Sequence, residues 1–473
     1  MKEENKSVVR DAINNIVIAP VSRTHLELVT KIAEKAQGLR NTDLTHVSMD
    51  PRVFSGGEFC PRFALGGNSP ENLNGKNVYL VMTPGPFKEP EAISFRVGIA
   101  AQAAYEAGAK EVNLLTTELP YSRQDRGSTE DPKALGEATS ARFLARFLTQ
   151  TAGIKKVFTT HLHSARVFGH YALESGLIHK ERPDLLAEEA RSFSPEKVNT
   201  PQHLDINAPE VQEIGKKVLV SISPHAFLAD YILHHSSLVG TPYLSDSGAK
   251  IALKAVDKGN RAFIDDVYNS LWLPEALRIY CNKARKAKNS PDPDKIDVEI
   301  LDVVGNAKNL DGMLEIYGDD GADSAVSLVK SVKWSNEGNY CSKKEKKYGA
   351  PSDRMIYFTH PWLGGKSFED IQRRMVYELP ACEFVTTETR HFINDNQYYR
   401  FKEKSTVLRL AGLWADVILA NELGKDLNTR YTGFGSQEEQ HRFISSLYSL
   451  KRHSRHFLSD PTEKKKDVTF MDR

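Results

Sequence analysis

Short apolar runs alternate with amphipathic segments along this chain, and this alternation restricts the fold more than any other feature of the sequence. Ile16–Ala19, Asn77–Met82 and Val112–Thr117 are apolar runs of strand length. Helical patterns follow the first two of these runs, over Leu26–Ala36 and Glu91–Ala107. Strands that alternate with helices at this pace are typical of parallel sheets joined by crossover helices. We therefore predict an α/β fold.

The alternation resumes after a charged, proline-containing interruption, which indicates more than one domain. Further strands are predicted at residues 157–160, 218–221, 242–244, 277–280, 313–317, 355–359 and 383–386, with helices at 139–149, after Ser247, after Ser324 and at 406–421. With 473 residues, the chain is longer than one ordinary core requires. We predict an N-terminal α/β domain over residues 1–170, an insertion or linker over 171–206, a C-terminal α/β domain over 207–424 and a polar tail over 425–473.

The charge balance bears on possible partners. Lys and Arg number 63 against 62 Asp and Glu, so no overall field favours a nucleic acid or an anionic membrane. The N-terminal segment is polar, and no apolar run reaches the roughly 18 residues of a membrane span. The four cysteines are scattered without a metal-ligand spacing, which suits reduced thiols. We expect a soluble cytoplasmic protein with no nucleic-acid or membrane partner.

Charged side chains follow several predicted strands, at the positions where ligands bind in open α/β sheets. Asp319 and Asp320 follow the strand MLEIY, and two neighbouring carboxylates can hold the hydroxyls of a ribose. Arg123 and Gln124 follow the strand VNLLTT, where they can contact triphosphate oxygens and a base edge. His163 follows the next strand. Taken singly, the acidic segment is equally well a surface turn, and a lone histidine is more often structural.

A pair of cations adds to this pattern. Lys283 and Arg285 follow the strand LRIY and are separated by one residue, so they can clamp a transferring phosphoryl group. The segment Gly364–Ser367 has the end of a phosphate-binding P-loop, but His360 stands where that motif needs its first glycine. A Walker-type kinase is therefore disfavoured.

These segments, in their order along the chain, resemble the motifs of ribose-phosphate pyrophosphokinases (PRPP synthetases). Tyr121–Arg126 is similar to the ATP-binding stretch Y-A-R-Q-D, and Ser245–Lys250 to the turn S-P-D-A-G-G-x-K. Lys283 and Arg285 match the K-x-R of the family's flexible catalytic loop. Asp319–Ser327 resembles the ribose-5-phosphate loop D-D-x-x-D-T-G-G-T. The likeness extends over about residues 16–424.

The resemblance implies two doubly wound domains of phosphoribosyltransferase type with parallel sheets. It also implies an ATP- and Mg²⁺-dependent transferase of nucleotide biosynthesis that forms a homo-oligomer, because the family's adenine pocket takes a short loop from a neighbouring subunit. The residues that it implies are Phe54, Glu58, Arg123, Gln124 and Asp125 for ATP; His163 and Asp246 for magnesium; Asp319, Asp320, Asp323, Ser324 and Ser327 for the ribose phosphate; and Lys283 and Arg285 for catalysis.

One departure from the family pattern bears on the acceptor. Ala325 and Val326 replace two glycines of the phosphate loop. Because valine resists positive φ, we expect this loop to follow a different course. Three functions stay open: PRPP synthesis from ribose 5-phosphate, the same transfer onto a larger 5′-substituted ribose such as ADP-ribose, and a non-catalytic regulatory subunit. The retained Lys283, Arg285 and Asp320 argue against the third.

Overall fold

The fold was analysed in a computed structural model of the chain. The structure describes residues 15–40, 49–63, 73–84, 90–127, 136–186, 204–245, 248–285, 296–305, 309–322, 325–338, 340–341, 346–362, 374–379, 381, 383–390 and 405–452. Within these residues, no helix combines the length and the apolar character needed to cross a membrane.

The N-terminal part of the chain forms a five-stranded parallel sheet. Its strands and those of an adjoining hairpin are β1 (Ile16–Pro20), β2 (Met49–Val53), β3 (Phe59–Phe63), β4 (Asn77–Met82), β5 (Glu111–Thr116), β6 (Ile154–Thr160) and β7 (Leu219–Ile222). The sheet has the order β1-β4-β5-β6-β7, and β2 pairs with β3 as the hairpin. The helices of this part are α1 (Leu26–Arg40), α2 (Pro90–Glu106), α3 (Ser140–Arg146), α4 (Arg166–Glu174), α5 (Leu177–Glu181) and α6 (Pro209–Gly215).

In the described part of the remaining chain, twelve strands form an eight-stranded sheet and two separate two-stranded hairpins. The strands are β8 (Leu244–Ser245), β9 (Gly248–Ala249), β10 (Ile251–Ala255), β11 (Leu277–Arg285), β12 (Ile296–Val304), β13 (Leu314–Gly321), β14 (Tyr340–Cys341), β15 (Lys346–Lys347), β16 (Asp353–His360), β17 (Glu383–Thr387), β18 (Ser405–Arg409) and β19 (Ser449–Arg452). The helices are α7 (His225–His234), α8 (Arg261–Leu271), α9 (Val326–Asn336), α10 (Ala411–Glu422) and α11 (Gln437–Ile444).

The order of this second sheet is β12-β11-β10-β13-β16-β17-β18-β19, and only its two edge strands run antiparallel to their neighbours. The strand order changes direction at β10, because β11 lies on one side of it and β13 on the other. Ligands bind at such a switch point in open α/β sheets, at the carboxyl ends of the strands. The predicted α/β fold with parallel sheets is confirmed.

Several sequence-based assignments are corrected by the structure. Strand β7, which the sequence places in the second domain, pairs with β6 in the first sheet. The segment after residue 424 is not a plain polar tail, because α11 packs there and β19 pairs with β18. The predicted helix at 406–421 begins as a strand, and the helix predicted after Ser247 follows only after β10. A basic four-residue edge strand has too little apolar pattern to be recognised without its partner.

One hydrophobic cluster connects the two sheets. It contains Tyr79 and Leu115 from the first sheet, Ile316 and Tyr357 from the second, and Trp414 from α10, all nearly inaccessible to solvent. Helix α10 packs against α1, and Glu422 at its end accepts hydrogen bonds from the Tyr79 hydroxyl. Burial of a large apolar side chain stabilises the folded state by about 1.5–3 kcal/mol. This shared cluster therefore holds the two sheets together.

Candidate active site

The carboxyl ends of strands from both sheets meet. The Thr117 hydroxyl, after β5, donates to the carbonyl oxygen of Thr389, after β17, at 2.8 Å. His360 Nε2, at the end of β16, lies 3.0 Å from the carbonyl oxygen of His161, after β6. His161 Nδ1 lies 2.6 Å from the Thr359 hydroxyl. Because parallel strands present their loops at this edge, the polar side chains that follow them come together.

His163 and Asp320 form the central contact between the two sheets. Nδ1 of His163, in the loop after β6, makes a short hydrogen bond with Oδ2 of Asp320, near the end of β13. This bond raises the pKa of His163. Burial alone would raise the pKa of Asp320, but the hydrogen bonds with His163 and Asp319 hold that pKa well below its ordinary value. The carboxylate is therefore ionised at neutral pH and faces a histidine that holds a proton more tightly than usual.

Trp362 links a third predicted residue to this pair. The Arg123 guanidinium lies over the Trp362 ring, 4.6 Å from its centroid, and the His163 ring stands edge-on 6.5 Å away. A Cβ at Gly321 would approach the indole to 2.4 Å, so only glycine fits beside it. Cation–π contact holds a guanidinium in place over the face of an aromatic ring. Arg123, His163 and Asp320 thus converge around one buried indole.

A buried carboxylate fixes this indole. Glu118 Oε1 accepts hydrogen bonds from Trp362 Nε1 and from Arg390 Nη2, both at 2.7 Å. Burial alone would raise the pKa of Glu118, but the hydrogen bonds and charge of Arg390 bring it below its ordinary value. The sequence analysis did not identify Glu118, Trp362 or Arg390. Each closely follows a strand that ends at this edge, which is the signal that singled out Arg123 and His163.

A fourth residue that was not predicted from the sequence, Asn260, orients the other predicted ribose carboxylate. Asn260 Nδ2, in the turn after β10, donates to Oδ1 of Asp319 at 2.5 Å. The same oxygen accepts the backbone N–H of Asp320 at 2.9 Å. The Asn260–Asp319 bond spans β10 and β13, the two strands at the switch point. Both carboxylates of the pair are therefore held at the place where the sheet topology favours a ligand.

Non-glycine residues with positive φ occur in three loops at this edge. They are Tyr121 (φ 60°), His161 (φ 35°) and Ala325 (φ 58°). Such conformations are strained for residues with a Cβ, and they concentrate at functional sites. The expectation that valine would avoid positive φ agrees with the backbone here, because Val326 is the first residue of α9 and Ala325 takes the left-handed conformation before it. Both side chains are buried, and that of Ala325 belongs to a hydrophobic cluster with Tyr317 and Phe358.

One of the predicted ATP residues, Asp125, differs in its surroundings from Arg123 and Gln124, which are both exposed. Asp125 is buried, and its Oδ2 lies 3.6 Å from Arg166 Nε while its carbonyl oxygen lies 2.9 Å from His170 Nε2. Its carboxylate is therefore directed into the protein, in contrast to the predicted contact with ATP.

Phe54 and Glu58 lie together at the turn of the β2–β3 hairpin. The backbone N–H of Phe54 donates to the carbonyl oxygen of Glu58 at 2.9 Å, and the Phe54 side chain is 53% exposed. The Arg52 guanidinium lies 5.8 Å from the Phe54 ring centroid. An exposed aromatic ring at a hairpin tip is available to another molecule.

The structure places Lys283 and Arg285 on a strand rather than in a loop. Both belong to β11, opposite Val298 and Ile296 of the antiparallel strand β12. Ser327 lies in the first turn of α9. Three further predicted residues, Asp246, Asp323 and Ser324, lie outside the described residues.

The arrangement of His163 suits a metal ligand. Histidines that bind metals usually bond a carboxylate through their other ring nitrogen, which fixes the ring. Asp320 occupies this role at Nδ1 and leaves Nε2 directed elsewhere. Mg²⁺ needs few protein ligands when substrate phosphates supply the rest. Since Mg²⁺ prefers oxygen ligands, a single imidazole here fits a Mg²⁺ ion whose other ligands are mainly nucleotide phosphate oxygens and water.

Two parallel α/β sheets that face each other at their strand ends define an α/β fold with domains of phosphoribosyltransferase type. No family model matches the sequence. Among solved structures, the chain is similar to the phosphoribosylpyrophosphate synthetase from Mycobacterium smegmatis, with a TM-score of 0.54 and 19% sequence identity. The match covers 87% of this chain and 99% of that chain. At this identity, the comparison shows a PRPP-synthetase-like fold.

Proposed function

We propose that the protein is an ATP-dependent diphosphotransferase that acts on the anomeric hydroxyl of a ribose 5-phosphate group. The observation that carries this proposal is the contact between His163 and Asp320, because it brings a residue assigned to Mg-ATP against one assigned to the ribose. The cation at Arg123 lies beside them over Trp362. The PRPP-synthetase-like fold supports the same reaction class.

In the proposed reaction, Asp319 and Asp320 hold the 2- and 3-hydroxyls of the ribose. The anomeric oxygen forms a bond to the β-phosphorus of ATP as the bond from that phosphorus to the α,β-bridging oxygen breaks, and AMP leaves. The anomeric hydroxyl releases its proton to solvent in this step, and the bridging oxygen keeps the electron pair of the broken bond as part of the AMP phosphate. Bound Mg²⁺, held by His163 and Asp246, would neutralise phosphate charge.

The roles of the remaining residues follow from charge. Arg123 binds triphosphate oxygens, and Gln124 contacts the base. Lys283 and Arg285 stabilise the charge that develops on the transferring diphosphate, which is worth about 2–4 kcal/mol of transition-state stabilisation for a single preorganised donor. Phe54 and Glu58, exposed at the hairpin tip, complete the adenine pocket of a second copy in a cytoplasmic homo-oligomer.

A second candidate differs only in the acceptor, which would be a ribose with a larger 5′-group such as ADP-ribose. It is favoured by Ala325 and Val326, where the family has glycines that make a tight phosphate nest. Ala325 takes the positive φ that glycine adopts without strain, and its methyl group is buried below the loop.

The test is AMP release from ATP and Mg²⁺ in the presence of ribose 5-phosphate, of ADP-ribose, or of ribose as a control. Faster release with ribose 5-phosphate supports PRPP synthesis, and faster release with ADP-ribose supports the second candidate. Product analysis should show a diphosphate on the anomeric carbon. A folded protein that releases AMP with neither acceptor would support the regulatory subunit instead.

A further inference from the structure

Three metal-ligating side chains converge on elements that take no part in the proposed reaction. Asp230 and His234 lie one turn apart on α7, and His441 lies on α11. Nδ1 of His441 is 2.6 Å from Oδ1 of Asp230, and Nδ1 of His234 is 3.2 Å from the same oxygen. The two imidazole rings face each other with centroids 3.8 Å apart. Nδ1 of His234 also lies 3.1 Å from the carbonyl oxygen of Asp230. One carboxylate oxygen and two ring nitrogens are therefore grouped together, with both nitrogens close to the carboxylate.

Asp230 is held as a metal-ligating carboxylate would be. Its side chain is fully buried, and its other oxygen, Oδ2, accepts a hydrogen bond from the Tyr448 hydroxyl at 2.7 Å. Tyr448 belongs to the same C-terminal segment as His441. A hydrogen bond of this kind orients a ligating carboxylate and leaves its second oxygen for the ion. A buried carboxylate also requires compensation, which a cation provides.

The spacing suits a small tetrahedral ion. With bonds of about 2.0–2.2 Å, tetrahedral zinc sets its ligand atoms about 3.3 Å apart. Nδ1 of His234 is already near this distance from Oδ1 of Asp230, at 3.2 Å, whereas Nδ1 of His441, at 2.6 Å, must move away by a side-chain rotation to admit the ion. Two imidazoles with one carboxylate are ligands for Zn²⁺ and similar transition metals, whereas Mg²⁺ and Ca²⁺ prefer oxygen ligands.

A path for entry is present. His234 and His441 line an open cavity of about 600 Å³ together with Gln437, Glu438, Arg442 and Ser445. The two histidine side chains are 29% and 39% exposed, respectively. An ion could therefore arrive from solvent and keep a water molecule in its fourth position.

We propose that Asp230, His234 and His441 form a site for a divalent transition-metal ion of the Zn²⁺ class. The ion joins α11 to α7 and so fastens the C-terminal segment, including β19, to the second sheet. The site is independent of the Mg²⁺ that the proposed reaction uses, since it is built from different elements.

The test is a Co²⁺ titration of the whole chelator-treated protein, followed by visible absorption. The wild-type protein should bind one more equivalent than His441→Ala and His234→Ala. His235→Ala is the matched control, because His235 adjoins the cluster with its ring centroid 6.4 Å from that of His441. This control should bind as the wild type does. Co²⁺ bound at His163 is common to all four proteins and cancels in the comparison.

Zn²⁺ should also raise the Tm of the wild-type and His235→Ala proteins by more than that of His441→Ala, because an ion that binds only the folded state stabilises it and any Zn²⁺ at His163 contributes equally to all three. Equal Co²⁺ stoichiometry in the wild type and the folded His441→Ala variant would overturn the proposal. If His441→Ala and His234→Ala both fail to fold, the test is the Tm of the wild-type protein. Absence of a rise in that Tm with Zn²⁺ would overturn the proposed metal site, whatever the outcome of the AMP-release assay.

Discussion

His163 and Asp320 are 157 positions apart in the sequence and bond each other at the junction of the two sheets. His163 follows the fourth strand of one sheet, and Asp320 lies on the strand beside the switch point of the other. The contact therefore joins the two sheets and also belongs to the candidate active site. Disturbing it should affect both stability and catalysis.

A double-mutant cycle with His163→Gln and Asp320→Asn should show a coupling of about 1 kcal/mol in the free energy of unfolding near pH 6. The value is modest because His163 is 43% exposed. The pKa of His163 is raised in the folded protein, so its contribution is complete below the unfolded pKa and is lost as the pH rises through the folded pKa. Urea unfolding of the wild type and the three variants at pH 6 and pH 9 measures the coupling free energy. Equal coupling at both pH values would mean that the proton on His163 plays no part.

Lys283→Ala and Arg285→Ala should each reduce turnover in AMP release by about 100-fold or more and leave ATP affinity within a few-fold. Cations that act on the transferring group stabilise the transition state more than the bound nucleotide. Lys333→Ala, an exposed lysine in the last turn of α9, is the matched control and should retain normal turnover. Near-normal turnover in both test variants would remove these residues from the mechanism.

Arg123→Ala should weaken ATP binding by about tenfold or more, because a guanidinium held against an aromatic face is positioned in advance for phosphate. Arg123→Lys should bind ATP with intermediate affinity, since it keeps the charge but loses the planar fork. Isothermal titration with a non-hydrolysable ATP analogue measures both. Unchanged affinity in a folded Arg123→Ala protein would show that this loop is not the nucleotide site.

Ala325→Gly should change the free energy of unfolding by less than about 1 kcal/mol, since relief of positive φ offsets the loss of a buried methyl group. Val326→Gly should cost about 2–3 kcal/mol, because Val326 is buried and begins α9 with ordinary helical backbone. Denaturant unfolding compares the two. Equal losses would contradict the assignment of the left-handed conformation to Ala325.

Acid should destabilise the fold between pH 6.5 and pH 4 in part through His225. Burial lowers the pKa of His225 to about 4, so the folded state favours the neutral ring. The stabilisation is present above the ordinary pKa and is lost as the pH falls, on the order of 3 kcal/mol for this group. His225→Gln should lose less stability than the wild type between pH 7 and pH 4.5 in urea unfolding. His161, whose pKa burial lowers to about 3, contributes with the same sign and remains in the variant. An identical pH dependence in both proteins would exclude His225 as a contributor.

The sequence by itself determined the α/β class and the edge at which the site lies. Apolar runs such as 77–82 and 112–117 indicate strands that are buried on both faces. This pattern can be recognised from neighbouring residues alone. Polar side chains after those runs must then lie at the carboxyl edge of a parallel sheet. Arg123, His163 and Asp320 could therefore be identified as candidates from their positions alone.

Only the tertiary structure decided which of these residues meet, which sheet β7 joins and how the C-terminal segment packs. Strand pairing depends on hydrogen bonds between segments far apart in the sequence, and the short strands β7 and β19 have too little pattern to specify a partner. For the same reason the sequence does not show that Glu118, Trp362 and Arg390 contact one another, or that His441 approaches Asp230 across 211 positions. Their contacts exist because folding brings distant strand ends and helices together.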